Sequence, residues 1–493
     1  MAILFVLVRG KLPVRQRRRY PGKSRKGMSE TPVPAPGKPS SAGAAAIPRL
    51  SLRRLLAYGA PGLPLAGLTL PVYIFLPTLY SAEVGLSLAL VGQLLLLVRI
   101  ADAISDPLIG FLSDRTPSRF GRRKPWMLAG LPFAMAAIYF LFTPPDTAGP
   151  AYLFGWSLVL TVAWTMIIVP YNAWGAEMSP DYNERTRITA YREGFIITGT
   201  LVASALPTIL SAQGLEGVRE HAAGLALFLI LALPLALTLA FVTVPDRAYV
   251  RKTSLSLRKG LALLSQNAPF RRILPAYFLS GIANGLPASL FILFATHVLE
   301  RPDSYGPLLL LYFLAGFASI PIWFTLSKHL GKHRTWCIAM IMTCAAFAPV
   351  PFLIGPEDYT LFLVITVITG FGVGADLSLP AATYADVVDE DRLRSGEQRT
   401  GVFFAAWGFA TKVALALAVG IGFPILATSG FDAAAEVGSN SDRAVFVLAL
   451  LYAGAPVVLK LAAVALMWSF PIDRERYEEI RRQLDEHQGE APA

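Results

Sequence analysis

Twelve long apolar stretches constrain the fold of this chain more than any other feature. A helix needs about 20 predominantly apolar residues to cross the hydrocarbon core of a bilayer. Lipid offers no partner for backbone polar groups, so each stretch is expected to be helical. The sequence therefore predicts an all-α, polytopic membrane protein with twelve transmembrane helices. The stretches are 55–80, 87–112, 124–142, 151–175, 189–212, 222–243, 271–297, 306–327, 333–354, 359–382, 400–427 and 443–470.

The composition of the 493 residues excludes three other classes of protein. Hydrophobic types make up 54 % and charged types 16 %, whereas soluble domains average about 25 % charged. So apolar a chain is not disordered, and two cysteines cannot build a disulfide scaffold. A net charge of +11 fits a nucleic-acid-binding protein, but the apolar content does not. Membrane lipid, and no nucleic acid, is the expected partner.

The positive charge is concentrated at the N-terminus. Residues 1–54 hold 13 Lys and Arg and one acid, Glu30. Residues 1–50 are basic, then rich in Pro, Ala and Ser, which predicts a disordered tail. Two interpretations stay open: the basic run binds anionic lipid headgroups, or it is dispensable and translation starts at Met28.

The distribution of Lys and Arg among the loops predicts the topology. Loops after even-numbered stretches, with their flanking residues, carry 21 Lys and Arg, whereas the other loops carry Arg219, Arg301 and Arg443. Basic residues stay on the cytoplasmic side of a membrane. The even-numbered loops and both termini are therefore predicted to be cytoplasmic, in a protein of the cell membrane.

The chain divides into two halves of six stretches each. A polar linker, 245–270, separates 51–244 from 271–472, and a tail with helical pattern, RERYEEIRRQLDEH, occupies 473–493. The turn GFLSDRTPSRFGRRK after stretch 2 is matched by LSKHLGKHR after stretch 8. Two six-helix halves with matching loops are typical of a major facilitator transporter.

The turn after stretch 2 contains a candidate latch of Gly110, Asp114, Arg115, Gly121 and Arg122. Gly110 is expected to permit close helix approach, and Asp114 to pair with an Arg of a neighbouring turn. Simple anchoring by positive charge is the alternative, but it explains only the arginines.

Two further mixed-charge segments follow stretches 4 and 10, and both are predicted to be turns that act as gates on the cytoplasmic face. Pro170 and Gly175 are expected to break or end the helix of stretch 4. The predicted gate residues are Glu177, Asp181, Arg185, Arg187, Asp386, Asp389 and Arg399.

Stretch 2 carries three charges that are unusual at this depth in a membrane. Arg99, Asp102 and Asp106 are spaced i, i+3 and i+7, so they share one helix face. Two carboxylates one turn apart stay ionised only with a cation between them; otherwise one takes up a proton. The pair therefore predicts a site for Na⁺ or H⁺, with Ser105 and Thr165 completing an oxygen shell. A structural cluster, with Arg99 neutralising one carboxylate, is the alternative.

Lys412 lies about 12 residues into stretch 11, about 18 Å along the helix. It needs an anionic partner, and the predicted partner is the pair Asp102 and Asp106. The contact of Lys412 with this pair would then depend on whether a cation is bound. Lys460 is expected to be peripheral. For Asp376, a helix-contact role and a role in the transport pathway both stay open.

Several polar and aromatic residues are candidates for a central cavity. Arg192 lies one turn inside stretch 5 and can reach it. Aromatic faces suit stacking on a sugar ring, although such residues also simply pack. The other predicted lining residues are Tyr73, Trp164, Tyr171, Asn172, Asn284 and Trp407.

Three segments resemble the glycoside–pentoside–hexuronide:cation symporter family, whose best-known member is melibiose permease. They are RIADAISDPLIGFLSDRTPSRFGRRKPW, VPYNAWGAEMSPDYNERTRITAYR and ADVVDEDRLRSGEQRTGVFFAAWGFATKVALA, within a resemblance from about Tyr58 to Phe470. The likeness implies that Asp102 and Asp106 bind the coupling cation with a hydroxyl ligand from Thr165. It also implies that Arg192 and Lys412 lie near the substrate and coupling site.

The galactoside-recognition residues of melibiose permease are absent. Ala66 and Ile168 stand where that protein has carboxylates, and Asn172 stands at a tryptophan position. Ser105 replaces an amide beside the second cation-binding carboxylate, which leaves Na⁺ and H⁺ both open. The resemblance therefore implies retained cation coupling but a solute other than melibiose.

The sequence as a whole predicts a cation-coupled secondary transporter that moves a sugar or glycoside by alternating access. A lysophospholipid or another amphiphile is the alternative solute, and a non-transporting receptor is the alternative class. No enzyme activity is expected, because the chain has neither a phosphate-binding loop nor metal-ligand spacing of His and Cys. No cofactor is expected besides the coupling ion, Na⁺ or H⁺, and the protein is expected to be monomeric.

Overall fold

A computed structural model describes residues 49–116, 118, 121–179, 182–245, 266–395 and 400–489. Within these ranges the chain is helical and has no strand, and twelve helices are long and apolar enough to cross a membrane, as predicted. They are α1 (Leu52–Glu83), α2 (Leu88–Arg115), α3 (Lys124–Phe142), α4 (Pro150–Glu177), α5 (Tyr182–Ser211), α6 (Val218–Thr243), α7 (Ala268–His297), α8 (Tyr305–Leu330), α9 (Lys332–Leu353), α10 (Tyr359–Ser395), α11 (Thr400–Thr428) and α12 (Asp442–Met467).

Several helices extend beyond the apolar stretches that predicted them. The segment after stretch 10, expected to be a turn, continues α10 to Ser395. It has no Gly or Pro between 381 and 395, and Arg394 pairs with Glu390 one turn earlier, at 2.6 Å. The turn predicted before stretch 5 is likewise the first part of α5. Pro170 does not break α4, which runs on to Glu177.

Helix α1 is the least regular of the twelve. It contains two π-helical turns, at Pro71–Phe75 and Leu79–Glu83, on either side of Pro77. Proline lacks the amide hydrogen of a regular turn and crowds the carbonyl one turn earlier. The first π-helical turn carries Tyr73.

From Ser51 onward the chain is one compact unit. Within it, α1–α6 pack as one bundle and α7–α12 as a second. Three helix pairs join the bundles: α2 with α11, α5 with α8 and α1 with α7. A thirteenth helix, α13 (Arg474–Gly489), docks on the face where α8 ends, through Arg474, which donates to the Lys328 carbonyl at 2.8 Å. This face is called the terminal face. The helical pattern of the tail is confirmed.

The bundles meet most closely on the opposite face. A Cβ built at Gly92 of α2 would lie 2.9 Å from Phe423 Cβ of α11, and one at Gly306 of α8 would lie 3.1 Å from Thr208 of α5. All these positions lie near the helix ends remote from the terminal face. The two bundles are therefore in contact on the opposite face. A cavity of about 550 Å³ lies between the bundles and is lined by residues of both.

Candidate functional site

The predicted charge cluster assembles at mid-depth. Lys412 Nζ of α11 lies 2.8 Å from Asp102 Oδ1 and 2.5 Å from Asp106 Oδ2 of α2. The ammonium group is thus seated between the two carboxylates, and the contact joins the two bundles. The periodicity of α2 and the depth of Lys412 predicted this arrangement.

Hydroxyl groups complete the cluster. Thr165 Oγ1 of α4 lies 3.0 Å from Asp106 Oδ1 and 3.3 Å from Asp102 Oδ1. Ser105 Oγ instead donates to the backbone carbonyl of Asp102 at 3.1 Å and lies 3.4 Å from Thr165 Oγ1. Thr165 is therefore the hydroxyl that faces both carboxylates, while Ser105 stands behind it.

Arg99 links this cluster to the central cavity. Its guanidinium lies 3.7 Å from Asp102 Oδ2 and 4.5 Å from the centroid of the Tyr73 ring. Tyr73 in turn lines the cavity. Two carboxylates and two cationic groups balance one another, and the side chain of Asp102 is 3 % exposed whereas that of Asp106 is 32 % exposed. The Lys412 ammonium thus occupies the space between the two carboxylates, and Asp106 is the carboxylate more open to solvent.

Most of the predicted lining residues are found on the cavity wall. Trp164, Tyr171, Asn172, Arg192 and Asn284 join Tyr73 there. Arg192 Nη1 donates to Asn172 Oδ1 at 2.9 Å, and Nη2 donates to Glu193 at 2.7 Å.

The prediction for Trp407 is wrong, because this side chain does not line the cavity. Its ring stacks on Tyr277 of α7 with 3.6 Å between centroids, and Tyr384 packs against it at 4.3 Å. An aromatic neighbour on the adjacent helix thus covers the face that was expected to meet a solute.

The cavity has a polar level and an apolar end. Arg192, Asn172, Asn284, Asp376 and Lys460 form the polar level. Phe291 follows Asn284 by seven residues, about 10 Å along α7 toward the opposite face. The lining at that end includes Leu70, Ile74, Phe291, Phe347, Phe362, Ile365 and the ring of Tyr452.

Threonines in the lining do not change this division. Their hydroxyl groups donate to carbonyls of their own helices at 2.6–3.1 Å, which leaves methyl groups for the cavity. They are Thr69, Thr200, Thr343, Thr366 and Thr369. The cavity is therefore amphipathic along its length.

Lys460 is not peripheral, contrary to prediction. Its Nζ lies 2.6 Å from Asp376 Oδ2, its side chain is 3 % exposed, and both residues line the cavity. The hydropathy of stretch 12 placed Lys460 in the membrane but could not show which way it faces. Asp376 makes helix-contact hydrogen bonds and also borders the cavity, so a role in the transport pathway stays a prediction.

The candidate latch is only partly as predicted. A Cβ at Gly110 would meet Val169 at 3.6 Å, an ordinary contact, so the expected close approach is wrong. Gly121 has φ +95°, a conformation that favours glycine. Arg115 lies over the ring of Phe111 on its own helix, 3.8 Å from the centroid. The side chain of Asp114 lies outside the described part of the chain.

Glu177 is the anion that holds the arginines of this turn. Arg123 donates to Glu177 Oε1 at 2.7 Å and to Ser113 Oγ at 3.1 Å, and Arg122 lies 3.4 Å from Glu177 Oε2. Arg123 was missed because four arginines follow one another closely in sequence. Burial distinguishes it, since its side chain is almost fully enclosed.

The remaining gate residues form separate local pairs. Arg185 Nε donates to the Ser179 carbonyl at 2.7 Å, and Lys332 Nζ donates to Asp386 Oδ1 at 2.7 Å. Arg187 pairs within its own helix with Glu184, at 2.8 Å, and Asp389 lies half-buried on α10. Asp181 and Arg399 lie outside the described residues.

Comparison with known proteins identifies the class and then the family. The fold matches solved major facilitator transporters: a mutant form of the nucleoside transporter NupG superposes with a TM-score of 0.63 at 13 % identity, over 84 % of this chain and all of that one. A family model described as "MFS/sugar transport protein" matches residues 57–474. The chain therefore belongs to the MFS/sugar transport family and is a multi-pass membrane transporter.

Relatives in this family differ in the solute that they are named for. "Sodium-dependent lysophosphatidylcholine symporter 1-B" of Danio rerio is 25 % identical, over 89 % of this chain and 90 % of its own length. "Putative glycoside/cation symporter YagG" of Escherichia coli (strain K12) is 27 % identical, over 90 % of this chain and 97 % of its own.

Proposed function

We propose that the chain is a cation-coupled symporter with its cation site at Asp102, Asp106 and Thr165. The position of Lys412 Nζ, within 2.8 Å of both carboxylates, carries this proposal. Two carboxylates need one positive charge between them, and a coupling cation supplies it when Lys412 withdraws. Lys412 belongs to the other bundle, so its displacement changes the contact between the bundles. Cation binding is thereby linked to alternating access.

The solute contacts the same network through Tyr73. This ring borders the cavity and carries Arg99, which pairs with Asp102. A solute that shifts Tyr73 alters the charge balance at Asp102. Cation and solute are therefore expected to favour each other's binding, by the same factor in each direction.

An amphiphile is the solute class that the cavity supports best. Its polar level can hold a head group between Arg192 and the Asp376–Lys460 pair, and its apolar end can hold a hydrocarbon tail. Burial of each methylene contributes about 0.8 kcal/mol. A lysophospholipid has this division, as do the solutes named for several relatives.

A sugar or glycoside is the second candidate solute. The observation that favours it is the concentration of amide, carboxylate and ammonium groups at one level of the cavity, together with Tyr73 and Trp164. Such groups suit hydroxyl-rich ligands, and the description of the family model names sugar transport.

The further features of the function follow from the same proposal. We place the protein in the cell membrane with both termini in the cytoplasm, on the basis of 21 basic residues against three. Transport requires no covalent step, so we propose no enzyme activity and no cofactor. The coupling ion, Na⁺ or H⁺, is a co-substrate, and each monomer contains a full pathway.

Thermal unfolding of purified protein tests the cation site. A cation that binds only the folded state stabilises it by about 2.7 kcal/mol at 100 times its Kd. We expect the melting temperature of wild type to be higher in Na⁺ than in K⁺ at the same ionic strength. We expect no such difference for Asp102→Asn. Asp146→Asn is the control, since Asp146 is 89 % exposed and pairs only with Arg219 among the described residues.

Three results separate the remaining alternatives. If H⁺ is the coupling ion, pH replaces Na⁺ as the variable that distinguishes wild type from Asp102→Asn. If neither Na⁺, Li⁺ nor pH affects the two proteins differently, the cation site is refuted. In the presence of the coupling ion, 1-palmitoyl lysophosphatidylcholine is expected to stabilise the protein more than methyl β-glucoside does, and the reverse order would favour the sugar.

A further inference from the structure

A second polar cluster lies in the bundle α7–α12, away from the cation site. Lys460 Nζ of α12 donates to Asp376 Oδ2 of α10 at 2.6 Å, and Asn284 Nδ2 of α7 donates to the same oxygen at 3.1 Å. Trp336 Nε1 of α9 donates to Asp376 Oδ1 at 2.6 Å. Four helices thus converge on one carboxylate at the depth of the membrane.

Helix bonding alone does not account for this cluster. A buried ion pair contributes little stability relative to apolar residues of similar size, because both charges lose their hydration. Charged residues inside a membrane usually face a pathway. Three members, Asn284, Asp376 and Lys460, line the central cavity, whereas Trp336 stands behind them. The cluster therefore presents its polar atoms to whatever occupies the cavity.

The bonds still available in this cluster define the ligand. Lys460 uses one of its three N–H groups on the described residues, which leaves two donors. Asn284 Oδ1 accepts no hydrogen bond from the described residues, and Asp376 Oδ1 accepts one, from Trp336. Donors and acceptors are thus free side by side, and the pair has no net charge.

Hydroxyl groups match this set better than the other common polar groups do. A hydroxyl accepts from the Lys460 ammonium and donates to Asn284 Oδ1 or Asp376 Oδ1. A phosphate or carboxylate only accepts and would meet the Asp376 charge. A quaternary ammonium group donates no hydrogen bond.

The opposite wall suits the anionic part of a head group. Arg192 lines this wall, and its guanidinium, which also pairs with Glu193 at 2.7 Å, provides a cationic group there. An anionic group there and a hydroxyl group at the cluster across the cavity would fix the orientation of an amphiphile. Its tail would then extend toward Phe291 and Phe362.

We propose that Asn284, Asp376 and Lys460 form a hydroxyl-binding subsite for the head group of the transported amphiphile. This inference rests on the proposed function, because it assigns part of the same cavity. It predicts selection for amphiphiles with a free hydroxyl close to the head group, such as the glycerol hydroxyl of a lysophospholipid.

Two ligands that differ by one hydroxyl test the proposal. Binding of 1-palmitoyl lysophosphatidylcholine and of its 2-deoxy analogue is measured with purified full-length protein in lipid nanodiscs, with the coupling ion present. A hydrogen bond to a charged group contributes about 1.5–3 kcal/mol, so wild type is expected to prefer the hydroxylated ligand at least about tenfold. Both ligands have the same chain and phosphocholine group, so only the hydroxyl is compared.

Variants of the subsite test whether these residues cause the preference for the hydroxylated ligand. The paired substitution Asp376→Asn with Lys460→Met removes both charges together and avoids an unpaired buried charge. It should bind both ligands equally, with unchanged affinity for the deoxy analogue. Asn284→Ala keeps the ion pair and should reduce the preference about threefold. Trp323→Phe is the control: Trp323 Nε1 donates to the Phe371 carbonyl at 2.7 Å, away from the subsite, so its loss lowers the melting temperature but keeps the full preference.

Three results would overturn the proposal, and they differ in meaning. Equal binding of both ligands by wild type refutes the subsite but leaves the amphiphile function intact. A preference that survives in the paired variant places the hydroxyl elsewhere. Failure of wild type to bind either ligand refutes the proposed amphiphile function, and the subsite with it.

Discussion

Lys412 occupies the position that a coupling cation needs. Its ammonium pairs with Asp102 and Asp106 and joins the two bundles, and under the proposed function it competes with the cation for these carboxylates. The substitution Lys412→Met removes the competitor while it keeps a long apolar stem. We expect Na⁺ to bind at least about tenfold more tightly, because two unpaired carboxylates lie close together, and uphill solute accumulation to be lost.

Titration of the melting temperature with Na⁺ and solute uptake into proteoliposomes measure these two effects. Lys332→Met is the matched control, because Lys332 pairs with Asp386 at the terminal face and should leave Na⁺ affinity unchanged. Weaker Na⁺ binding by Lys412→Met would contradict the competition.

At the residue scale, the sequence predicted two kinds of contact: those set by the periodicity of a single helix, and those required by a charge deep in the membrane. The i, i+3, i+7 spacing placed Arg99, Asp102 and Asp106 on one helix face. The position of Lys412 near the middle of the membrane indicated that it needs an anionic partner. The pairing of Asp376 with Lys460 was not predicted. These residues are 84 positions apart on different helices, and a hydropathy pattern does not give the rotation of a helix about its axis.

The contact between α2 and α11 joins the two bundles on the opposite face. Gly92 meets Phe423 and Val419 so closely that a Cβ there would lie 2.9 Å from both. The larger side chain in Gly92→Val should separate the helices on the opposite face and shift the population toward a state open on that side. We expect increased labelling, by an impermeant maleimide, of a cysteine introduced as Leu96→Cys, which neighbours Gly420 in this contact.

Gly155→Val in the Leu96→Cys background controls for the added volume. A Cβ at Gly155 has no atom within 4 Å, so labelling should equal that of the parent protein. Both native cysteines, Cys337 and Cys344, are buried and contribute little background. Unchanged labelling in Gly92→Val would show that this contact does not set the conformation.

At the element scale, the number of helices was predictable and their limits were not. Hydropathy detects the part of a helix that lies in hydrocarbon. The polar extension of α10 to Ser395 depends on backbone bonds and on pairs such as Arg394 with Glu390, which apolar content does not record. The π-helical turns of α1 were also missed, since prolines indicate a disturbance of a helix but not its geometry.

The two faces of the whole molecule can be assigned to the two sides of the membrane. Glu478 of α13 is exposed on the terminal face, and Ser439 is exposed on the loop between α11 and α12. We expect an impermeant maleimide to label Ser439→Cys in intact cells, and Glu478→Cys only after permeabilisation, because basic loops stay in the cytoplasm. Labelling of wild type sets the background, and the reverse pattern would invert the topology.

The division into bundles follows from chain order, but the state of the transporter does not. The same twelve helices pack in either direction of opening, and the sequence contains both sets of contacts. Contact between the bundles on the opposite face is apparent only from pairs such as Gly306 with Thr208, which lie in different bundles.

Because the charge cluster is neutral, the membrane potential acts differently on the empty carrier and on the cation-loaded carrier. Arg99 and Lys412 cancel Asp102 and Asp106 when no cation is bound, so the empty carrier moves no net charge of this cluster through the membrane field. Under the proposed function, binding of one Na⁺ or one H⁺ would raise the sum to +1. The membrane potential then acts on the loaded carrier, with about 2.3 kcal/mol per charge for each 100 mV. For an uncharged or zwitterionic solute, voltage accelerates the inward step and leaves the return step unaffected.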